Sequence, residues 1–336
     1  MKAALTVILF FAALSGSTSA QEPNQPLHPG VSLFQQGKFS EAVRSLEVAV
    51  KSKEHKDEAE IWNYLGLAYL AETETQKGVK ALEKSVKLKG LDAVFRANLA
   101  YAHLLAGNFK KAREQANKVI ELDPRNEIAY QVRSTVNLRE HKLEAADHDA
   151  DAFISYAETN PEAYILKSTI AVSIFGMRVE AGSKTRDEAG LLKNAMDVLE
   201  AGIAKVGGKA SPQANRLERE FEEISVFYQH FTGEPLPPGA TPAPQPPGVE
   251  PYRILAKPRA KYTDRARARG VEGSIRVSVL LGTSGKVDHV LFLRRLGDGL
   301  DEAVLEAIQG IRFEPKKVNG KPVPVVVTLE YSFEIY

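Results

Sequence analysis

The chain has 336 residues, enough for two or three domains, and its hydrophobic and charged fractions, 43% and 26%, are ordinary for a globular protein. Its 44 Lys and Arg nearly balance 43 Asp and Glu, so the net charge of +1 argues against a dedicated nucleic-acid binder. The absence of cysteine excludes disulfides, cysteine-ligated zinc sites and thiol catalysis.

The N-terminal segment has the pattern of an export signal. Lys2 precedes an apolar run from Ala3 to Leu14, and small residues follow up to Ala20. This pattern predicts a secretory signal peptide over residues 1–20, followed by a polar lead over residues 21–28. The alternative is an uncleaved membrane anchor, but the run is shorter than the ~20 residues needed to span a bilayer.

A repeat with a period of about 34 residues follows the polar lead. The segment Gly37-Lys-Phe39 is echoed by Gly107-Asn-Phe109. A small residue recurs at Ala42, Gly78, Ala112 and Ala146. These residues resemble tetratricopeptide (TPR) repeats, and the resemblance implies an α-solenoid of four antiparallel helix pairs over residues 29–158.

Packing explains the repeat, because small residues allow paired helices to approach closely while large residues fill the space beside them. Trp62 is therefore predicted to be a core residue, wedged between paired helices beside Leu65 and Gly66. The inner face of the first helices is predicted to form a binding groove. Its residues are Asn63, Leu67, Asn98, Tyr101, Gln131 and Thr135.

The next region, residues 159–231, is less regular and is predicted to hold a degenerate repeat and capping helices. Tyr164 to Phe175 and Leu191 to Val206 are apolar-periodic, and a polar connection is expected between them from Gly176 to Gly190. Pro212 to Phe231 reads as a closing helix with one apolar face.

Residues 232–250 are predicted to be a linker because they contain seven prolines, which disfavour helix and sheet. Few contacts should cross such a linker, so the domains on its two sides are expected to reorient freely.

The last part of the chain, residues 251–336, has the alternation of β-strands. Ile275, Val277, Val279 and Leu281 alternate with polar residues, and a glycine-bounded turn leads into a second strand over Lys286 to Arg294. A helical pattern then places Leu300, Val304, Leu305, Ile308 and Ile311 on one side. The final run, Val323 to Ile335, predicts one long strand with a single apolar face.

Several short segments in this region carry a family resemblance. They are Lys257-Pro258, Tyr262 to Arg267, Gly273 to Val279, Gly285-Lys-Val287, Leu300 to Ala303, Arg312 to Pro315 and Asn319 to Pro322. Together they resemble the C-terminal domain of TonB-type energy transducers, with one departure at Thr263, where the family usually has proline. The resemblance implies a small α+β domain with a three-stranded antiparallel sheet and two helices, following the α-solenoid.

The resemblance also places the final strand at the edge of the sheet, where it would bind an extended peptide. The residues expected there are Val323, Val325, Val326, Val327, Thr328, Leu329, Glu330 and Ser332. The odd-numbered residues from Val325 to Phe333 should face the core against Ile275, Val277, Leu305 and Ile308. Val326, Thr328, Glu330 and Ser332 should flank the incoming peptide.

A cluster of cations marks the entrance to this domain. It comprises Lys257, Arg259, Lys261, Arg265, Arg267 and Arg269. One interpretation is a patch that docks on an anionic surface, and the other is a solvated face that aids solubility. The acidic run Asp147-His-Asp149-Ala-Asp151 resembles the start of a calcium loop, but the residues after it continue a helix.

No arrangement of residues suited to acid–base, nucleophilic or metal chemistry is evident, so we expect no enzyme activity, no cofactor and no small-molecule substrate. An export signal joined to a TonB-like domain predicts a periplasmic scaffold that binds proteins or peptides, with outer-membrane TonB-dependent receptors as partners. The alternative is an energy transducer anchored in the inner membrane, where it would engage motor proteins.

Overall fold

A computed structural model describes residues 28–208, 211–233 and 248–335. The predicted signal peptide, residues 21–27 of the polar lead and most of the predicted linker lie outside the described residues. The chain divides after Val136 into two compact units, which are described in turn.

The described residues up to Gly233 form eleven α-helices, and the first eight are four consecutive pairs, which confirms the predicted TPR-like solenoid. The helices are α1 (Pro29–Gln35), α2 (Phe39–Ala49), α3 (Ala59–Ala71), α4 (Thr75–Leu88), α5 (Ala93–Leu105), α6 (Phe109–Leu122), α7 (Glu127–Arg139), α8 (Leu143–Tyr156), α9 (Pro161–Glu180), α10 (Ala189–Lys205) and α11 (Ala214–Thr232).

The echoed glycine motifs form the turns within helix pairs. Gly37 lies between α1 and α2 with φ 74°, and Gly107 lies between α5 and α6 with φ 73°. This left-handed conformation ends a helix at little cost only where there is no Cβ. The same turn recurs at Thr73, with φ 63°, and at His141, with φ 56°, so the repeat favours glycine here but does not require it.

Helices α3 and α4 cross at two glycines. A Cβ on Gly66 would lie 2.5 Å from Cγ of Leu82 and 3.1 Å from the carbonyl oxygen of Gly78. A Cβ on Gly78 would lie 2.7 Å from Cδ2 of Leu70. Ala42, Ala100, Ala112 and Ala146, which occupy the other small positions, are fully buried. The predicted use of small residues at the helix crossings is confirmed.

The position of Trp62 differs from the predicted one. Its side chain is half-buried at the margin of the core around Leu65, and its indole N–H donates a hydrogen bond to the carbonyl oxygen of Lys56 at 2.8 Å. The indole N–H needs an acceptor, and the loop before α3 supplies one at the margin of the core. Trp62 therefore closes the end of the core and does not lie between the paired helices.

In the second unit, α9 extends to Glu180, so the predicted polar connection begins at Ala181 and not at Gly176. Helices α9, α10 and α11 pack against one another. Helix α11 has the predicted apolar face, on which Leu217, Ile224 and Phe227 are buried.

The main sheet of the C-terminal domain has three antiparallel strands in the order β4-β3-β8, and the domain has two helices, as the family resemblance implied. Its elements are β1 (Val249–Glu250), β2 (Arg253–Ala256), α12 (Asp264–Ala268), β3 (Gly273–Leu281), β4 (Val287–Arg294), α13 (Leu300–Gln309), β5 (Arg312–Glu314), β6 (Lys316–Val318), β7 (Lys321–Val323) and β8 (Val325–Phe333). Two small sheets, β2-β5 and β1-β6-β7, were not predicted, because strands of two to four residues are too short for a periodic pattern.

One face of the main sheet packs on α12 and α13. Ile275, Val277 and Ile308 are buried in this core, as predicted. Leu305 was also predicted to face the core, but its exposed fraction is 38%, whereas that of the adjacent Val304 is 0%. Adjacent helical residues point in different directions, so only one of this pair can face the sheet.

The predicted final strand is divided in two. Val323 belongs to β7, which pairs with β6, whereas β8 begins at Val325. Pro324 lies between them and belongs to neither strand, and the pairing of β8 begins at Val325 because its partner β3 ends at Leu281. Val323 is therefore not part of the edge strand.

No helix in the described ranges is both long and apolar enough to cross a membrane.

The α3–α4 crossing provides a test of the repeat packing. Gly66→Ala should lower the free energy of unfolding by on the order of 1–3 kcal/mol, because Leu82 and the backbone of Gly78 must move to admit the methyl group. Gly190→Ala is the matched control, since that helical glycine has no heavy atom within 4 Å of the added Cβ. Urea unfolding followed by circular dichroism measures both. Equal stability of the two variants would contradict the close crossing.

Candidate functional site

The order of the main sheet leaves β4 and β8 as its edge strands. Strand β8 pairs with β3 in unbroken register from Leu281↔Val325 to Gly273↔Phe333. Strand β4 pairs with the other side of β3 through two register shifts. Because an edge strand carries backbone groups without ladder partners, the surroundings of each edge decide where another strand could add.

Helices α9 and α11 pack on β4. Leu291 and Leu293 of this strand are buried. A Cβ on Gly176 of α9 would lie 2.7 Å from the carbonyl oxygen of Leu293, so the strand approaches the helix backbone directly. The prediction that few contacts cross the linker is therefore wrong, and β4 is the covered edge.

Polar contacts accompany this apolar packing. Arg276 on β3 lies 3.5 Å from the carboxylate of Glu180, and Nδ1 of His289 on β4 lies 3.2 Å from Oε2 of Glu223 on α11. Burial lowers the pKa of His141, and the nearby Arg294 guanidinium acts in the same direction. Surface ion pairs of this kind contribute little stability, so the packing of β4 depends mainly on the apolar contacts.

Strand β8 divides its side chains between two faces. Val327, Leu329, Tyr331 and Phe333 are buried in the core, and Val325 is partly buried against it, as predicted. On the other face Thr328, Glu330 and Ser332 are exposed and Val326 is half-exposed. The alternation matches the expectation that these four residues face outward.

The open side of the β8 backbone is identified by a single hydrogen bond. Nζ of Lys257 donates to the carbonyl oxygen of Glu330 at 2.7 Å. In an antiparallel ladder the N–H and C=O of one residue point to the same side, and this side alternates along the strand. The backbone groups of Val326, Thr328, Glu330 and Ser332 therefore point away from β3, toward the open edge.

The predicted groove is only partly accessible. Asn63 and Asn98 are buried, and Nδ2 of Asn98 donates to Oδ1 of Asn63 at 2.9 Å. A buried amide must satisfy its hydrogen bonds internally, so these two residues link α3 to α5 instead of lining a surface. The other four predicted residues, Leu67, Tyr101, Gln131 and Thr135, are half-exposed.

The repeat region and the C-terminal domain each match known protein families. Residues 258–335 match the family described as the Gram-negative bacterial TonB protein C-terminal, and residues 30–90 and 93–126 match two tetratricopeptide-repeat families. The chain therefore contains tetratricopeptide repeats and a C-terminal region that matches the TonB C-terminal domain. Both kinds of domain bind proteins or peptides, and neither family is a catalytic one.

Individual relatives resemble parts of the chain. Protein TonB of Vibrio cholerae serotype O1 is 29% identical over 87 residues, which are 26% of this chain and 36% of that protein. The chain thus spans about a third of that relative's length. Crystal structures of MamA and of a thermophilic TPR protein of Thermus thermophilus are 19% and 15% identical, with TM-scores of 0.42 and 0.46. The matches cover 54% and 60% of this chain and 96% and 97% of those chains.

The basic patch of the TonB domain is partly neutralised. The carboxylate of Asp298, whose side chain is only 7% exposed, accepts from Nε of Arg265 at 3.0 Å and also from Arg269. The Arg267 guanidinium lies 5.4 Å from the centroid of the Tyr262 ring. Asp298 is distant in sequence from these cations, so the local pattern could not assign it to them. Lys257, Arg259 and Lys261 remain exposed.

Thr263, the departure from the family pattern, has its own function in the domain. Its hydroxyl accepts from the backbone N–H of Ala266 at 3.1 Å, which caps α12, and donates to the carbonyl oxygen of Asp298 at 2.7 Å. A proline could make neither bond. Thr263 therefore joins the start of α12 to the loop that neutralises the patch.

The acidic run on α8 is helical, as predicted. Asp147 and Asp151 accept from Nζ of Lys167 at 2.8 and 2.7 Å, and Asp149 bonds Asn137 at 3.1 Å. Within the ranges that the structure describes, no cluster of acidic and histidine side chains has a metal-binding arrangement.

The packing of the TonB domain on α9 can be tested at Gly176. Gly176→Ala should push β4 away from α9 and cost about 1–3 kcal/mol of stability, because the clash is with backbone atoms of Leu293. Amide hydrogen exchange over residues 287–294 should accelerate, whereas β8 should be unaffected. Gly190→Ala again serves as the control. Unchanged exchange in β4 would show that the helices do not cover this edge.

Proposed function

We propose that this protein is a periplasmic scaffold whose TonB domain captures an extended peptide on β8, and that the peptide belongs to an outer-membrane transporter. The observation that carries the proposal is the difference between the two edges of the sheet. Helices α9 and α11 pack on β4, whereas β8 pairs with β3 and directs its alternate backbone groups outward.

Strand addition suits this edge. An added antiparallel strand would bond the outward N–H and C=O groups of Val326, Thr328, Glu330 and Ser332, which gives affinity independent of the peptide sequence. Selectivity would come from side chains that flank the peptide. Thr328, Glu330 and Ser332 are exposed on one face, so that face favours a peptide with polar residues at alternate positions.

The repeats supply the second binding surface in this proposal. Leu67, Tyr101, Gln131 and Thr135 are half-exposed and combine aromatic, aliphatic and amide groups. Surfaces of this composition suit a protein segment better than a small polar molecule. The scaffold would therefore hold one protein on its repeats and a peptide of another on β8.

The proposed location rests on the predicted signal peptide and on the TonB domain. Cell fractionation separates it from the alternative of an anchored energy transducer. Mature protein that starts near Gln21 in the periplasmic fraction supports the scaffold, whereas intact protein with Met1 in the inner membrane supports the transducer and its contact with motor proteins.

Strand addition is tested at Thr328. Thr328→Pro removes an outward backbone N–H, and should weaken binding of peptides from transporter N-termini by roughly tenfold or more. Thr328→Val is the matched control, because it keeps the backbone donor and favours a strand, and should bind nearly as well as the original protein. Fluorescence anisotropy with labelled peptides measures the affinities.

Circular dichroism shows whether the proline variant is folded. Sedimentation velocity shows whether β8 is instead closed by pairing with a second copy. Equal binding by the folded proline variant, or a stable dimer that excludes the peptide, would contradict the proposed function.

A further inference from the structure

The open edge of β8 is occupied by a lysine. Nζ of Lys257 lies 2.7 Å from the carbonyl oxygen of Glu330 and 4.4 Å from the centroid of the Tyr331 ring. Glu330 is near the middle of the outward-facing stretch, so the lysine occupies the acceptor that an added strand would need there. Charged side chains, lysine above all, commonly protect sheet edges from unwanted pairing.

The backbone on both sides of this lysine is anchored. Before it, β2 pairs with β5. After it, Tyr262 packs on the core, donates its hydroxyl to the carbonyl oxygen of Val271 at 2.6 Å, and lies edge-on to Phe333 with ring centroids 5.6 Å apart. The segment that carries Lys257 is therefore fixed beside the end of β8, and only its side chain needs to move to expose the edge.

We propose that Lys257 is a displaceable guard on the open edge of β8 and, once displaced, the residue that favours an acidic peptide. This inference rests on the proposed function, because it names the chemistry of the peptide that the same strand would take.

The contact is suited to reversible displacement. The lysine side chain is exposed, and hydrogen bonds and ion contacts of exposed side chains are weak. A strand that adds to β8 supplies its own N–H to the Glu330 carbonyl and replaces the ammonium there. It also forms bonds at Val326, Thr328 and Ser332, so the exchange is favourable overall.

The displaced ammonium remains near the peptide, because the backbone that carries Lys257 is anchored on both sides. A carboxylate on the incoming strand, directed to the same face as the Tyr331 side chain, would then pair with it. Arg259 and Lys261 follow in the chain and are exposed. From Arg253 onward the domain carries 15 Lys and Arg against 10 Asp and Glu, an excess of five cations that favours an acidic peptide over a basic one.

The experiment compares the full chain with its Lys257→Met and Lys261→Met variants. Both changes remove one exposed cation from the same segment and keep an unbranched stem, but only the first removes the contact with Glu330. The probes are a short peptide of alternating valine and threonine, and the same peptide with glutamate at its central position. Fluorescence anisotropy gives the affinities.

Lys257→Met should bind the neutral peptide about two- to fivefold more tightly than the original protein. The original protein should prefer the glutamate peptide to the neutral one by about two- to fivefold, and Lys257→Met should lose this preference. Lys261→Met should behave as the original protein in both respects. If the two variants give the same affinities while Thr328→Pro still weakens binding, the proposed role of Lys257 is wrong and the proposed function stands.

A second readout does not depend on any peptide. Without its guard the edge of β8 should pair with a second copy, so Lys257→Met should dimerise with rising concentration in sedimentation velocity, whereas Lys261→Met should not. If no peptide binds any variant, the proposed function is wrong, and this measurement alone tests whether Lys257 protects the edge of β8. Monomers in both variants would then overturn it.

Discussion

A β-sheet ends in two strands whose outward backbone groups need hydrogen-bond partners, and this requirement organises the second unit of the protein. One edge is covered because α9 has a glycine, Gly176, where the backbone of Leu293 comes close. At the other edge, the side chain of Lys257 bonds the carbonyl oxygen of Glu330. The helices that continue the repeats thus also belong to the environment of the TonB domain. In the proposed function, they leave β8 as the edge that receives an added strand.

Periodicity explains which parts of this architecture could be predicted from sequence. The recurrence of Ala42, Gly78, Ala112 and Ala146 predicted the paired helices, because close helix crossings require small residues. The alternation around Ile275 and Leu329 predicted the three-stranded sheet and its buried face, because a strand with one buried face must alternate. The same alternation correctly predicted which side chains of β8 face the core and which face outward.

The errors arose where one residue could satisfy two patterns or where contacts join distant segments. The alternation continues through Pro324 although β3 ends opposite Val325, so Val323, which pairs with β6, was assigned to the wrong strand. Asn63 looks like a groove residue until its partner Asn98 is known. The contact of Gly176 with Leu293 and that of Lys257 with Glu330 join segments far apart in the chain, and no local pattern encodes them.

The central claim is that β8, and not β4 or the repeats, receives the peptide. Backbone amide spectra of the isotope-labelled full chain, recorded during titration with a transporter N-terminal peptide, test it most directly. The account predicts the largest shifts at Val326, Thr328, Glu330 and Ser332, with protection of these amides from solvent exchange and little change in residues 287–294. Saturable binding that shifts β4 or the repeat helices, and leaves β8 unchanged, would contradict the account.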